Sequence, residues 1–282
     1  MRKIFFLASV VLMTSLAAFS QKTDYQVYAL KFASGAHPTP ISAMALNGPD
    51  KDSVNLVFMV WLIKGSDGKN ILVDAGFLKD VEEAKGFDIS NYVRPDSVLL
   101  RMNLRKEDIT DIILSHPHWD HLDGIDLFPN AHVWIQKDDY NYFIETAWQK
   151  GGNSGGFNKR DVRKLMDIKS ANRLTLVDGD NKEIIPGIKV FTGSKHTFNS
   201  QYVLVETGAD KIILASDNIW IYYNLEHLRP APLYGTFDTV AYVRSMQRMK
   251  TQVSDSKYII PGHDAKMFSI FPTVKEGVIR IK

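Results

Sequence analysis

The 282-residue chain contains no cysteine. That absence excludes a disulfide framework, a thiolate metal site and a lipidated N-terminal cysteine, so any metal must be held by histidine and carboxylate. An excess of either charge is missing too: 34 basic and 32 acidic residues leave a formal charge of +2. The surplus is Arg2 and Lys3, at the extreme N-terminus, and from Gln21 onward the two signs balance. A nucleic-acid partner, which wants a basic excess, is thereby excluded. No apolar run reaches the ~20 residues that a membrane span requires; Ile4 to Leu12 comes nearest and contains Ser9. No repeat of about 20 to 50 residues is visible. The run Gly151-Gly-Asn-Ser-Gly-Gly156 has no strand before it and no Gly-Lys-Ser/Thr to close it, so it reads as a flexible joint and not as a phosphate loop.

What is present begins with an ordinary globular composition, 45% apolar, 23% charged and 11% aromatic. Arg2-Lys3, the apolar run and then Ala17, Ala18 and Ser20 follow the order of a secretory signal. Cleavage between Ser20 and Gln21 is expected, giving a periplasmic or secreted chain, 21–282, as a single domain with no membrane insertion. Oligomeric state leaves no mark in the sequence.

Tyr25 to Phe32 alternates and is rich in aromatic and β-branched residues, which predicts a half-buried strand. Val54 to Ile63 is too continuously apolar for a solvent-facing strand and belongs inside; Gly65-Ser-Asp-Gly68 turns it back into Asn70 to Gly76. Residues 78–101 read as helix broken near Pro95, Leu122 to Phe128 as a short helix, Ala131 to Gln136 as a strand, Lys137 to Lys150 and 158–173 as helices. Further strands are expected at Leu174–Val177, Ile188–Thr192, Tyr202–Glu206, Lys211–Ala215 and Tyr258–Ile260, with a helix over Phe237–Met249. Strands followed by helices, twice over, predict an α/β fold of two similar halves whose sheets pack face to face with helices outside.

One stretch dominates the chemistry. Ser115-His116-Pro117-His118-Trp119-Asp120-His121 follows the apolar Ile112-Ile113-Leu114 and concentrates three of the eight histidines. In extended chain alternate residues face the same way, so His116, His118 and Asp120 can converge while His121 looks elsewhere, a divided ligand set suited to two neighbouring ions. Later strands end in His196, Asp217 and His263, and strand-end loops are where sites are built. The expected grouping is His116, His118 and His196 as one set and Asp120, His121 and His263 as a second, with Asp217 between them. His37, His132 and His227 lack this placement and are assigned no role. Asp74 ends a buried strand, where it either caps a turn or supports the ligands from behind.

The pattern His116-x-His118-x-Asp120-His121, then His196, Asp217 and His263, resembles the metallo-β-lactamase superfamily, as does the strand end Leu72-Val-Asp-Ala-Gly76. Leu214-Ala-Ser-Asp217-Asn218, Asn224-Leu225-Glu226 and Pro261-Gly-His263-Asp264 resemble its N-acyl homoserine lactonase branch. The resemblance implies a four-layer αββα sandwich and a binuclear hydrolase. Similar lactonases often carry a tyrosine three residues after the bridging aspartate, where this chain has Trp220, so Tyr222 or Tyr223 is the candidate to supply a hydroxyl.

Histidine and carboxylate suit two Zn²⁺ ions, with iron, manganese or cobalt as alternatives. A hydroxide between the ions would attack a lactone or ester carbonyl polarised at the His116, His118 and His196 position, with the other ion stabilising the leaving alkoxide and Asp120 returning the proton. Phe77, Trp119, Trp220, Tyr222 and Tyr223 are expected to wall a small-molecule substrate with an apolar portion. Rival readings are a β-lactamase, against which Asp217 counts, a phosphoester hydrolase, an iron-dependent oxygenase or redox protein, and a metal-retaining binding protein without turnover.

Overall fold

The computed structural model describes residues 23–282, so the signal-like segment and the Ser20–Gln21 junction lie outside the described residues. Alternation along the strands decides the layering. In Tyr25–Gly35, Val27 and Ala29 face one way and Tyr28, Leu30 and Phe32 the other; in Val57–Gly65, Val57, Met59, Trp61 and Ile63 oppose Phe58, Val60 and Leu62. In Gln201–Thr207 and Asp210–Ser216, Val203, Val205, Ile212 and Leu214 share one face, and Tyr202, Leu204, Ile213 and Ala215 share the other. Sheets that are apolar on both faces must be covered on both. Three apolar clusters result. The middle one joins the two sheets. The first lies under Tyr140, Phe143, Leu165 and Ile168 of the helices Lys137–Ile144 and Arg160–Ser170, and the third under Tyr242, Met246 and Met249 of Thr239–Gln252. This is the αββα sandwich.

The sheets are unequal, with nine strands and five. The C-terminal hairpin Thr273–Lys275 and Val278–Arg280, for which the sequence gives no expectation, returns to the first sheet and pairs along Tyr25–Gly35. Strand direction decides at which edge of each sheet the polar strand ends collect. Asn70–Val73 and Asp111–Ile113 are parallel neighbours in the first sheet. In the second, Ile188–Thr192 and Asp210–Ser216 are both antiparallel to Gln201–Thr207 between them, and Ile259–Pro261 is parallel to Asp210–Ser216. Within each sheet, therefore, the site-bearing strands run the same way.

Residues 78–101 depart from the predicted helix. Glu82–Phe87 is a 3₁₀ turn, Ile89–Ser90 pairs with Ser34 and Gly35, and only Pro95–Val98 is α-helical. Asp88 and Asn91 at φ +48° and +50° break any helix here, and the open sheet edge takes up the backbone hydrogen bonds instead. The helix from Lys137 stops at Ile144, with a 3₁₀ turn at Thr146–Trp148. Nor is Gly151–Gly156 a free joint: a Cβ on Gly152 would stand 2.1 Å from the Thr146 carbonyl oxygen, so this glycine packs against the turn before it.

Candidate metal centre

Each contributing strand delivers its polar residues just past its C-terminal end. Asn70–Val73 ends at Asp74, Asp111–Ile113 leads to Ser115 and His116, Ile188–Thr192 to His196, Asp210–Ser216 to Asp217, and Ile259–Pro261 to His263. The chain turns sharply at these points. Asp74, Lys195 and Ser216 hold φ of +63°, +59° and +47°, a left-handed conformation that costs a non-glycine residue free energy and persists only where the surroundings enforce it. The extended-chain expectation for the first cluster holds only as far as His118. Trp119–Leu122 is a helical turn, which swings Asp120 away from His116 and His118 and towards His263.

Three groups of side chains place ligand-capable atoms within 4.8 Å of one another: His116, His118 and His196; His116, His121 and Asp217; Asp120, His121 and His263. Asp217 faces both sides. Its Oδ2 lies 3.4 Å from His196 Nε2, and its Oδ1 lies 3.0 Å from His263 Nε2 and 3.4 Å from His121 Nε2. His118 Nδ1 and His196 Nε2 are 2.9 Å apart.

Behind the imidazoles, fixed acceptors set the ring tautomers. His121 Nδ1 meets Asp74 Oδ2 at 2.8 Å, His196 Nδ1 the Gly235 carbonyl at 2.7 Å, and His263 Nδ1 the Val57 carbonyl at 3.1 Å. His116 Nδ1 lies 2.8 Å from Ser115 Oγ, which donates to Asp74 Oδ2. Once each Nδ1 carries the proton, each Nε2 is left as a bare lone pair. Asp74 thus supports the ligands from behind, accepting also from the Ser115 amide and Ser216 hydroxyl at 2.8 Å each. Ser115 and Ser216 were overlooked in sequence; their only signal was adjacency to His116 and Asp217.

Burial divides the imidazoles by the company they keep. Burial, reinforced by the neighbouring imidazoles, holds His116 well below the usual histidine range and brings His118 down to about 3; burial also lowers His196. For His121 burial acts in the same direction, but Asp120, Asp217 and Asp74 outweigh it and raise it; Asp217 does the same for His263. Burial would raise the two carboxyls, yet His263 and His121 hold Asp217 well below its usual range and His121 lowers Asp120. Among these groups, His116 Nε2, His121 Nε2 and Asp217 Oδ1 are buried without any hydrogen-bond partner. The carboxylates that raise His121 and His263 draw positive charge into the site, and with Nδ1 protonated the Nε2 atoms converge on Asp217 as buried lone pairs that a proton or a cation must satisfy, so the donor set fits divalent ions.

His118, Asp120, His196, Asp217 and His263 form the floor of a cavity of about 520 Å³, with His116 and His121 buried behind them. Trp119 and Trp220 line it, joined by Met44, Leu56, Phe58, Phe87 and Tyr234. Three expected wall residues lie elsewhere. Phe77 is fully buried beneath Trp119, ring centroids 4.7 Å apart. Tyr222 and Tyr223 line a separate cavity with Glu226, Asp264 and Lys266. Tyr222 opens the helix Tyr222–His227, its amide bound by Asp264 Oδ2 at 2.9 Å and its ring tucked into the inter-sheet core, so it does not replace the tyrosine absent at Trp220. Of the wall residues missed in sequence, Phe58 lies on the strand Val57–Gly65, and Met44, Leu56, Phe87 and Tyr234 sit in loops or single turns whose spacing carries no signal. His37 reaches the cavity rim beside Asp88, 3.3 Å away, whereas His132 bonds Thr175 and His227 packs on Tyr223.

The sequence model described as the metallo-beta-lactamase superfamily matches residues 57–263. An N-acyl homoserine lactonase of Bacillus cereus is 26% identical over 235 residues, spanning 78% of this chain and 87% of that protein. The N-acyl homoserine lactonase AttM of Rhizobium radiobacter is 26% identical over 185 residues, 60% of this chain and 63% of its own. The crystal structure of a quorum-quenching N-acyl homoserine lactone lactonase superposes with a TM-score of 0.70 at 21% identity, covering 90% of this chain and 98% of that one. AidC, a dizinc quorum-quenching lactonase in complex with a product, N-hexanoyl-L-homoserine, superposes at 0.59 with 20% identity, covering 85% and 87%.

Proposed function

The chain belongs to the metallo-β-lactamase superfamily and is a metal-dependent hydrolase, and from that premise we propose that it opens the ring of an N-acyl homoserine lactone or a related ester. The observation that carries this reading is a floor of ionisable ligands beneath walls that are largely apolar, Met44, Leu56, Phe58, Phe87, Trp119 and Trp220. Such a cavity suits a polar ring seated on the floor and an acyl chain along the walls. Curated relatives named as N-acyl homoserine lactonases support the same substrate class.

His116, His118 and His196 would hold one ion and Asp120, His121 and His263 the other, with Asp217 shared. Zinc is the proposed ion, since nitrogen and carboxylate ligands suit it. Such ions supply Lewis acidity and bring the pKa of water from about 15.7 towards about 7. The chain's own residues do the rest. Asp74, directly and through Ser115, keeps His121 and His116 presenting bare Nε2 atoms. Asp120 reaches the cavity, with its Oδ2 3.3 Å from His121 Nε2 and 3.5 Å from His263 Nε2; it would take the proton released as the attacking water oxygen bonds the carbonyl carbon and pass it to the leaving oxygen as the ring C–O bond breaks. The apolar walls exclude water from the acyl portion.

The test is a hydrolysis panel on zinc-loaded protein: acyl homoserine lactones of several chain lengths, a cephalosporin, a phosphodiester and an aryl ester. Lactone turnover is expected, with kcat/KM rising with chain length by up to fourfold per methylene buried, the equivalent of about 0.8 kcal/mol. Turnover of the cephalosporin or phosphodiester with the lactones untouched overturns the reading. We also propose that residues 1–20 direct export and are removed, leaving 21–282 as one catalytic domain. Gln21 as the first residue of protein recovered outside the cytoplasm is the expected result, and an intact Met1 there is the contrary one.

A further inference from the structure

The glycine-rich run 151–156 closes over the face of a ligand ring. A Cβ built on Gly156 would stand 2.7 Å from both Cδ2 and Nε2 of the His118 imidazole, closer than real Cβ contacts come, and Gly156 holds φ +78°. Its carbonyl accepts from the Trp119 amide at 2.9 Å, so the same residue that flanks the ring also pins the helical turn directly after it. Phe157 packs against the remaining side of His118, ring centroids 5.2 Å apart. With Cε1 also only 3.0 Å away, the Cβ position lies over the face of the His118 ring on the side of Cδ2 and Nε2, while Nδ1 points to His196 Nε2 at 2.9 Å. His116, His121, His196 and His263 each have a polar atom from outside the ligand set beside Nδ1 that fixes the ring; His118 turns its Nδ1 to the ligand His196, and the bare backbone of Gly156 lies against its ring face.

We propose that Gly156 is a positioning residue for one of the two metal positions: only a residue without a side chain lets His118 lie back far enough to aim Nδ1 at the His116 and His196 pair. The consequence is selective. His121 and His263 take their support from Asp74 and Val57, and the turn that carries Asp120 and His121 is held by the Gly156 carbonyl, a backbone bond that a side chain at 156 leaves in place, so a Cβ there bears on His118 first. The proposal rests on His116, His118 and His196 being a metal position.

The experiment counts zinc ions per chain by elemental analysis after dialysis against graded chelator, with activity recorded beside it. Unsubstituted protein is expected to retain two ions. Gly156→Ala is expected to retain one, the other held about 10- to 100-fold more weakly, the usual cost of losing a group that orients a ligand. Gly156→Asn carries the same Cβ on a residue that tolerates left-handed φ and is expected to do the same, which separates contact with His118 from backbone strain. Gly151→Ala is the control: at φ +89° with nothing within 4 Å of its Cβ, it suffers the backbone strain alone and is expected to retain both ions. Adding Gly156→Ala to His118→Ala is expected to change ion content no further than His118→Ala does by itself. Two ions held with unchanged affinity in both Gly156 variants overturn the inference and leave the metal centre standing, as does equal loss in Gly151→Ala. No ions in the unsubstituted protein overturn both.

Discussion

Asp139 is fully buried and braces the turn that carries His196: its carboxylate accepts from Thr197 Oγ1 at 2.6 Å and from the Asn199 amide at 3.0 Å. Burial pushes its pKa up to about 6, although both hydrogen bonds pull the other way. An unfolded aspartate titrates near 3.9. Between about pH 4 and pH 6 the folded chain therefore keeps a proton that the unfolded chain has released, and this residue's contribution to stability falls as pH rises through that window. The expected size is of order 3 kcal/mol, at 1.36 kcal/mol for each tenfold change in proton affinity. Asp139→Asn keeps an acceptor and removes the charge. Urea unfolding of parent and variant at pH 4, 5, 6 and 7 is expected to show the difference between them moving in the variant's favour as pH rises; a constant difference contradicts the account. Asp139 could not be singled out from sequence, because its burial depends on a loop some sixty positions away folding over it.

The helix Arg160–Ser170 docks through a polar as well as an apolar face. Leu165 and Ile168 enter the core, while Arg160 binds buried Asp123 through two hydrogen bonds of 2.7 Å and Lys164 Nζ binds the same carboxylate at 2.7 Å. Asp123 also accepts from the Leu78 amide at 2.8 Å, so one carboxylate ties the helix to the loop after Asp74. Burial, assisted by the Asp123 carboxylate, pushes neighbouring Asp161 upward from the usual carboxylate range, against the pull of Lys164 at 3.2 Å. Arg160→Ala is expected to lower unfolding free energy by about 3 kcal/mol, the low end for breaking a buried pair, because Lys164 remains and Arg160 is itself partly solvated. Chemical denaturation measures it, and a loss under about 1 kcal/mol would show the pair to be dispensable. Most elements were legible from alternation and spacing; those that were not are short. The three-residue strands of the C-terminal hairpin are too brief for a period of two to register, and in 78–101 pairing with an open sheet edge, with Asp88 and Asn91 left-handed on either side of it, overrode the helical spacing.

At the scale of the molecule the metal centre joins the two sheets: His116, His118, Asp120 and His121 come from the first, and His196, Asp217 and His263 from the second. Ions that bind the folded state alone add stability by mass action, about 2.7 kcal/mol for one site at a hundredfold excess over Kd. Stripping them with chelator is expected to lower Tm by several degrees, and zinc is expected to restore it. An unchanged Tm would mean that the sheets are held by their apolar interface alone. By itself the sequence determined the alternation that makes both faces of each sheet apolar, hence the layered sandwich, and it marked the candidate ligands, because a dense histidine motif and polar strand ends are local patterns. What only the tertiary structure decided was partnership: that Asp74 stands behind His121 and Ser115, that Tyr222 faces a different cavity, and that Gly156 lies against His118. Such contacts are made between segments far apart in the chain, and their geometry is fixed by how the two sheets and their loops pack, which no local spacing encodes.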